Sequence, residues 1–414
     1  MAIHVGACVA GRVAGFDHIS DDDFARVTIA QAFAHAPTLD PSGTSWLPFP
    51  FWSLGLVMLI AGRALVTAQA IAVGLNSLAL VAPYLALRFV GVARPRALVG
   101  LALGYLTPSA IWLGAATVPE SFTASFVAAG AVLLGARSAS SEPRPKVAAL
   151  GAALLVLAAT LSRYEAWPVA AVLALAVVVR SRRDLALAAV CAAGPLLWMA
   201  WNAHAHDGPL HFFRRVAGFK RAIGEGSTDT LAALLLYPRL LLTARPEVTV
   251  PAVLILVLRR GRRWLVPLAC VAAQVAFLAY GNARDGAPAH HPERALFACF
   301  VILALFVADE GLELLASWQR RPGAIAIVCI AVLWSATTFR DGTDVPGTAT
   351  WEDRSAQRER GRVLRDLGAD HITITPCAFE QFALIAELGA PEKVTTLPRT
   401  NAPLTAACPS ITVE

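Results

Sequence analysis

About twenty residues into an otherwise oily chain, the stretch HISDDDFARV (His18 to Val27) sets three carboxylates side by side: Asp21, Asp22 and Asp23. A carboxylate that takes the proton of a hydroxyl in a transition state speeds the reaction by roughly 10²–10⁴-fold. Three adjacent acids repel one another, an arrangement that suits a general base. The plainer alternative is a helix start, with Ser20 or Asp21 as the cap and acids in the first turn facing the helix dipole. Capping uses one or two of these groups, not three.

Other ionisable residues punctuate the apolar sequence. Glu120 lies in ATVPESF, and Arg163, Tyr164 and Glu165 lie in TLSRYEAW, between two apolar runs with almost no loop. HHPERALF adds His290, His291, Glu293 and Arg294. Ionisable groups at membrane depth are costly, and they pair or line a site. An arginine fork suits a phosphate, through charge-assisted hydrogen bonds. Glu120 also fits a simple helix cap, and Arg163 with Glu165 a structural pair. The HHxE cluster leaves a divalent metal as an open option, because its spacing matches no specific ligand pattern. No other cofactor is implied.

The elements that must position these groups read as membrane helices. The chain has 414 residues, 57% of them hydrophobic and 15% charged, with a mean hydropathy of +0.59. A soluble domain carries about a quarter charged residues. The net charge of +6 does not point to nucleic acid, because Lys and Arg come in short clusters between apolar runs. Of seven cysteines, Cys8, Cys191, Cys270, Cys299 and Cys329 fall in apolar runs. Cys377 and Cys408 lie in a polar C-terminal segment and can pair if that segment is extracytoplasmic.

A span needs about 20 mostly apolar residues. Candidates are 64–88, 97–116, 119–137, 146–162, 165–180, 184–201, 248–259, 264–280, 295–309 and 322–339, with a short run at 2–16 read as a first helix whose beginning is missing. Basic clusters at Arg88/Arg94/Arg96, Arg137/Arg144/Lys146, Arg180/Arg182/Arg183, Arg259–Arg263 and Arg320/Arg321 then fall on one side, the cytoplasmic side by the positive-inside rule. The aspartate loop 17–50, Glu120, Arg163–Glu165, the loop 202–247, the loop 281–294 and the tail fall on the other. Residues 24–36 suggest an amphipathic helix along the outer surface, followed by interfacial aromatics in TSWLPFPFW.

The outer loop 202–247 breaks the charge bias with Arg214, Arg215, Lys220 and Arg221. Phe212, Phe213, Val216, Phe219 and Ile223 recur at near-helical spacing, which suggests a helix in the interface with its cations toward lipid headgroups. A solvated basic loop explains the pattern equally well. From residue 340 the pattern changes to helix–strand–helix–strand, a small α/β appendage without a glycine-rich phosphate fingerprint.

Together, a first outer loop with paired acids, an interface helix, the RYEAW turn and the His/Glu/Arg cluster before a late helix resemble the GT-C membrane glycosyltransferases. The nearest branch is that of the dolichyl-phosphate-mannose protein mannosyltransferases and the aminoarabinose transferases. The resemblance covers roughly residues 17–310. With the residue reading of about eleven transmembrane helices over 1–339 and a small extracytoplasmic α/β domain over 340–414, a tail less typical of the mannosyltransferases, the resemblance fits an all-α polytopic membrane protein. It implies an inverting glycosyltransferase that moves a sugar from a polyprenyl-phosphate donor to a hydroxyl of a lipid, glycan or protein acceptor. The chain then sits among membrane lipids in a bacterial inner membrane, its site facing the periplasm. Asp21 would match the base and Asp22 its acidic neighbour, and the extra Asp23 permits a register shift of one. Arg163, Arg294, Arg214 and Arg215 would be donor-phosphate ligands.

Two other readings compete. A transporter or flippase of an anionic lipid would also want outward arginines, but would show duplicated halves or broken helices in matching positions, and no repeat is visible. A non-catalytic membrane scaffold leaves the aspartate triplet and HHPERALF as caps only.

Overall fold

The computed structural model describes residues 1–139, 146–222, 229–258, 261–286, 291–317, 353–375, 379–397 and 410–413. Helices α1 (Ala2–Val13), α2 (Asp21–His35) and α3 (Phe49–Ala61) open the chain. Next, α4 (Leu65–Ala79) and α5 (Val81–Phe89) form one apolar rod, Leu65–Phe89. After α6 (Arg94–Tyr105) the chain bends by 77° into α7 (Pro108–Ala115). The residue before a proline disfavours the α conformation, so Thr107-Pro108 breaks this rod.

Then follow α8 (Glu120–Ala139), α9 (Lys146–Thr160), α10 (Ala166–Arg180), α11 (Leu185–Ala205) and α12 (His211–Ala222). A second bend, of 92°, separates α13 (Thr230–Thr243) from α14 (Pro246–Leu258). The last membrane elements are α15 (Leu265–Ala283), α16 (Phe297–Phe306), a π-helical turn over Val307–Gly311, and α17 (Leu312–Ser317).

Among the described residues, four helices are long and apolar enough to cross a membrane: Leu65–Phe89, Arg182–Ala205, Arg262–Ala283 and Pro292–Ala316. Counting each bent pair as one span makes six. The expectation of about eleven spans is therefore corrected. Helices α9 and α10 have 15 residues each. At a rise of about 1.5 Å per residue they reach ~22 Å, short of the ~30 Å hydrocarbon core. Two apolar helices are not among the candidate spans: α3, between the loop 17–50 and the span 64–88, and α13, within the loop 202–247 and interrupted by Pro238. The expected span 322–339 lies outside the described residues, as do Cys377, Cys408, His290, Cys329, Arg144, Arg259, Arg320 and Arg321.

Helix α16 runs through the centre, with nine of its ten residues buried. Gly100 and Gly104 on α6 let that helix come close; a Cβ on Gly100 would stand 3.1 Å from Leu305 and 3.2 Å from Ala308. Small residues of this kind let two helices approach where both sides are apolar.

The C-terminal α/β lobe follows the helix–strand order read from the sequence. A first lobe helix (Ser355–Asp366) leads to β1 (Ile372–Thr375), then a second lobe helix (Gln381–Leu388) and β2 (Val394–Thr396). A third strand, β3 (Ser410–Val413), was not foreseen. The order is β2-β1-β3, with Ile372 beside Val394 in the parallel pair and beside Val413 in the antiparallel one. Leu364, Ile372, Ile374, Leu384, Ile385 and Leu388 form the lobe's core.

The lobe also corrects the reading of α2. A surface helix was expected, yet Asp23 to Val27, Ala30, Gln31, Phe33 and Ala34 are buried. Helix α2 lies between α3 and the second lobe helix, sharing a cluster with Leu54, Met58, Ala383 and Ala386. Gln31 donates from Nε2 to the Ala386 carbonyl at 2.7 Å and to the Arg63 carbonyl at 2.8 Å. A second covering element turns an amphipathic helix into a buried one.

Candidate functional site

Successive side chains leave a helix about 100° apart, so the three aspartates of α2 go separate ways. Asp23 is the helix-start carboxylate. Its Oδ2 accepts from the backbone N–H groups of Ile19 (3.1 Å) and Ser20 (3.3 Å). Its Oδ1 accepts from the Thr117 backbone N–H (2.9 Å) and hydroxyl (3.2 Å), which fastens α2 to the α7–α8 turn. Asp21 is gripped by the lobe: Arg354 donates from Nε to Oδ1 at 2.8 Å and from Nη2 to Oδ2 at 2.7 Å. Asp22 alone is exposed, and it has no hydrogen bond or ion pair among the described residues. The crowded triplet expected from the sequence is thus not formed. Asp21, expected as the base, is occupied.

Behind Asp22 stands a buried ionic cluster from four distant segments. Glu120 opens α8 and is 3% exposed. Its Oε1 accepts from Arg163 Nη1 at 2.7 Å, from Arg294 Nε at 3.0 Å and from Arg294 Nη2 at 2.6 Å. Arg163 turns its other edge to Glu165, with Nε–Oε2 at 3.1 Å and Nη2–Oε1 at 2.5 Å. Arg294 also reaches the Ser20 hydroxyl at 3.4 Å. Burial opposes the charge on Arg163, yet Glu120 and Glu165 together lift its pKa above the ordinary arginine value. Glu120 is therefore the anchor of two arginines rather than a helix cap. A narrow cavity beside it is lined by Thr123, Gln274, Ala295 and Phe297 among others.

One member of the site escaped the sequence reading. Arg26, one turn after Asp22 on α2, is 7% exposed and makes no hydrogen bond or ion pair among the described residues. Its guanidinium lies 4.5 Å from the Trp46 ring centroid and 5.8 Å from that of Phe51. Burial lowers its pKa from the ordinary arginine value, while the charges of Asp22 and Glu120 oppose that and those of Arg163 and Arg294 reinforce it. A buried cation resting on an aromatic face is an attractive seat for an anion. The available signal was Asp22-x-x-x-Arg26, an acid–base pair at i, i+4 inside an apolar helix.

The remaining expected residues lie elsewhere. Tyr164 is structural: its hydroxyl donates to the Ser45 carbonyl at 2.7 Å and accepts from Trp198 Nε1 at 3.0 Å. The basic helix α12 docks by stacking Phe212 on Tyr164, with centroids 4.4 Å apart. That contact turns Arg214 and Arg215 to the exposed side, and Arg214 pairs with Asp207 at 3.0 Å. Neither joins the Arg163–Arg294 cluster, so the structure does not gather all four expected donor ligands in one place. Lys220, on the same helix, is buried and donates to Asn282 Oδ1 at 2.9 Å. His291 adopts a left-handed backbone (φ 53°), and its Nδ1 stands 3.8 Å from Glu293 Oε1. No group of three metal-binding side chains occurs among the described residues.

A solvent-facing carboxylate, a buried cation with no ion pair among the described residues and two tethered arginines can together do two things. They can take a proton from an incoming group and hold an anion next to it. No protein-family model matches the chain, and no curated protein is similar to it.

Proposed function

We propose that this membrane protein is an inverting glycosyltransferase of the GT-C type, drawing its sugar from a polyprenyl-phosphate carrier. The observation that carries the reading is exposed Asp22 one turn from buried Arg26, neither of them hydrogen-bonded or ion-paired among the described residues, at one end of an apolar bundle. Asp22 takes over the role first assigned to Asp21, which Arg354 occupies.

The chemistry runs as follows. The Asp22 carboxylate accepts the proton of the acceptor hydroxyl as its oxygen attacks the anomeric carbon. The bond from that carbon to the carrier phosphate breaks on the opposite face, with inversion. Negative charge grows on the departing lipid phosphate, and fixed cations stabilise it without reorganisation. Arg26 is the free cation for this task, with Arg163 and Arg294 held beside it by Glu120. The prenyl tail lies along the apolar flanks of the helices. On this reading the site faces the periplasm.

The test is transfer by membranes bearing the full chain, supplied with a panel of radiolabelled polyprenyl-phosphate sugars. Asp22→Asn should lower transfer by about 10²–10⁴-fold at unchanged abundance, and full activity in that variant ends the proposal. The two sharply bent helix pairs favour a second reading, a transporter or flippase of an anionic lipid. That reading predicts transbilayer movement of a labelled lipid phosphate with no glycosylated product.

A further inference from the structure

The backbone around Asp22 is fixed from both sides by different parts of the molecule. On one side, Asp23 is tied to Thr117 at the start of the membrane bundle. On the other, Asp21 is tied to Arg354, just before the first lobe helix. One helical turn on, Arg358 spans the same seam, donating from Nη1 to Asp17 Oδ1 at 2.6 Å and from Nε to Glu387 Oε2 at 2.9 Å.

The lobe holds the other end of α2 as well. Gln31 is fully buried against the Ala386 carbonyl. Beneath it Arg63 makes a two-pronged pair with Glu392, at 2.8 Å for each prong. Asp21 and Gln31 are ten residues apart, or ~15 Å of helix. The lobe therefore grips nearly the whole length of the helix that presents Asp22 and Arg26. A two-pronged arginine–carboxylate pair fixes direction as well as distance, so it can set the rotation of the helix start.

We infer that the C-terminal lobe is a positioning element for the site, and that Arg354 is its positioning residue, acting on Asp22 through Asp21. The consequence for catalysis rests on the function proposed above; the docking itself does not. Arg358, one turn along, holds the same edge through Asp17, so loss of Arg354 alone should loosen the helix start without releasing the lobe.

The experiment uses the full-length protein in lipid nanodiscs, comparing wild type, Arg354→Ala, Asp21→Asn and the charge-swapped pair Asp21→Arg with Arg354→Asp. Hydrogen exchange of the amides in α2 should quicken at least tenfold in both single variants and return toward wild type in the swap. A cysteine placed by Asp22→Cys should change its rate of reaction with a charged thiol reagent several-fold when Arg354→Ala is added. In the transfer assay Arg354→Ala should lower kcat with the donor KM little changed. Exchange in α2 that is unchanged by Arg354→Ala, or a swap no better than the worse single variant, overturns the inference. Wild-type protein without transfer activity, but with the exchange pattern intact, removes the glycosyltransferase reading and leaves the positioning role standing.

Discussion

The rod Pro292–Ala316 carries an ionic cluster at each end, and the two are built differently. At its start, Arg294 meets Glu120 and, through it, Arg163 and Glu165. Some fifteen residues on, or ~22 Å along the axis, Asp309, Glu310 and Glu313 meet Arg96 and Arg263. At the far end each of these charges has an opposite charge within ion-pair distance, and Trp264 adds a hydrogen bond to Asp309 at 2.9 Å. The two arginine side chains there remain 28% and 32% exposed. At the near end the arginines are sunk deeper, and the cluster borders on two charges left over, Arg26 and Asp22. The far end pairs every one of these groups and holds helices together. The near end adds Arg26 and Asp22, which make no hydrogen bond or ion pair among the described residues, so unpaired groups rather than net charge set it apart from a fastener.

The strongest check on this contrast is Glu120→Ala. It strips two buried arginines of their shared partner, and breaking such a buried arrangement costs about 3–5 kcal/mol. Thermal unfolding in detergent should show that loss, while Asp309→Ala, whose arginines keep other carboxylates and water, should lose clearly less. Equal losses would mean that both ends are simply fasteners.

Arg26→Met separates stability from function. Replacing an unpaired buried charge by an apolar side chain of similar length is neutral or stabilising. The melting temperature should therefore hold or rise, while affinity for a phosphate-bearing donor falls roughly 10- to 150-fold, the equivalent of about 1.5–3 kcal/mol. A clear drop in melting temperature would show that Arg26 belongs to the fastening class.

The smallest expected effect concerns pH at the lobe seam. Burial pushes the Asp17 carboxyl up, but the His18 hydrogen bond and the Arg358 guanidinium more than offset this, leaving its pKa below the ordinary aspartate value. Glu392 is likewise held below the usual glutamate range, its burial outweighed by Arg63. Because both folded values are depressed, their contribution to docking is complete above the ordinary carboxylate range of about 4 and is lost as pH falls through the lower folded values. Protease protection of the lobe should be flat from pH 7 to 5 and decline only below about 4. A decline already at pH 6 would point to groups other than these acids.

Much of the architecture could be read along the chain. Long apolar runs such as Leu65–Phe89 and the helix–strand order of the lobe follow from periodicity and composition alone. The span number was overestimated because hydropathy registers how apolar a run is, and not where a helix bends or stops short, as at Thr107-Pro108 or in the 15-residue α9 and α10. Glu120, Arg163, Glu165 and Arg294 stood out as charges within oily sequence, and the structure gathers them. Arg214 and Arg215 stood out equally, and the docking of Phe212 on Tyr164 turns them away.

What the sequence settled by itself is the solvent this chain requires, the rods it forms, and the few charged groups that must find partners, because local periodicity and the cost of burying charge act residue by residue. Which aspartate caps, which one the lobe seizes and which one stays free was decided only in three dimensions. The partners of those acids, Thr117 and Arg354, lie about a hundred and more than three hundred residues away. No local pattern carries contacts of that length.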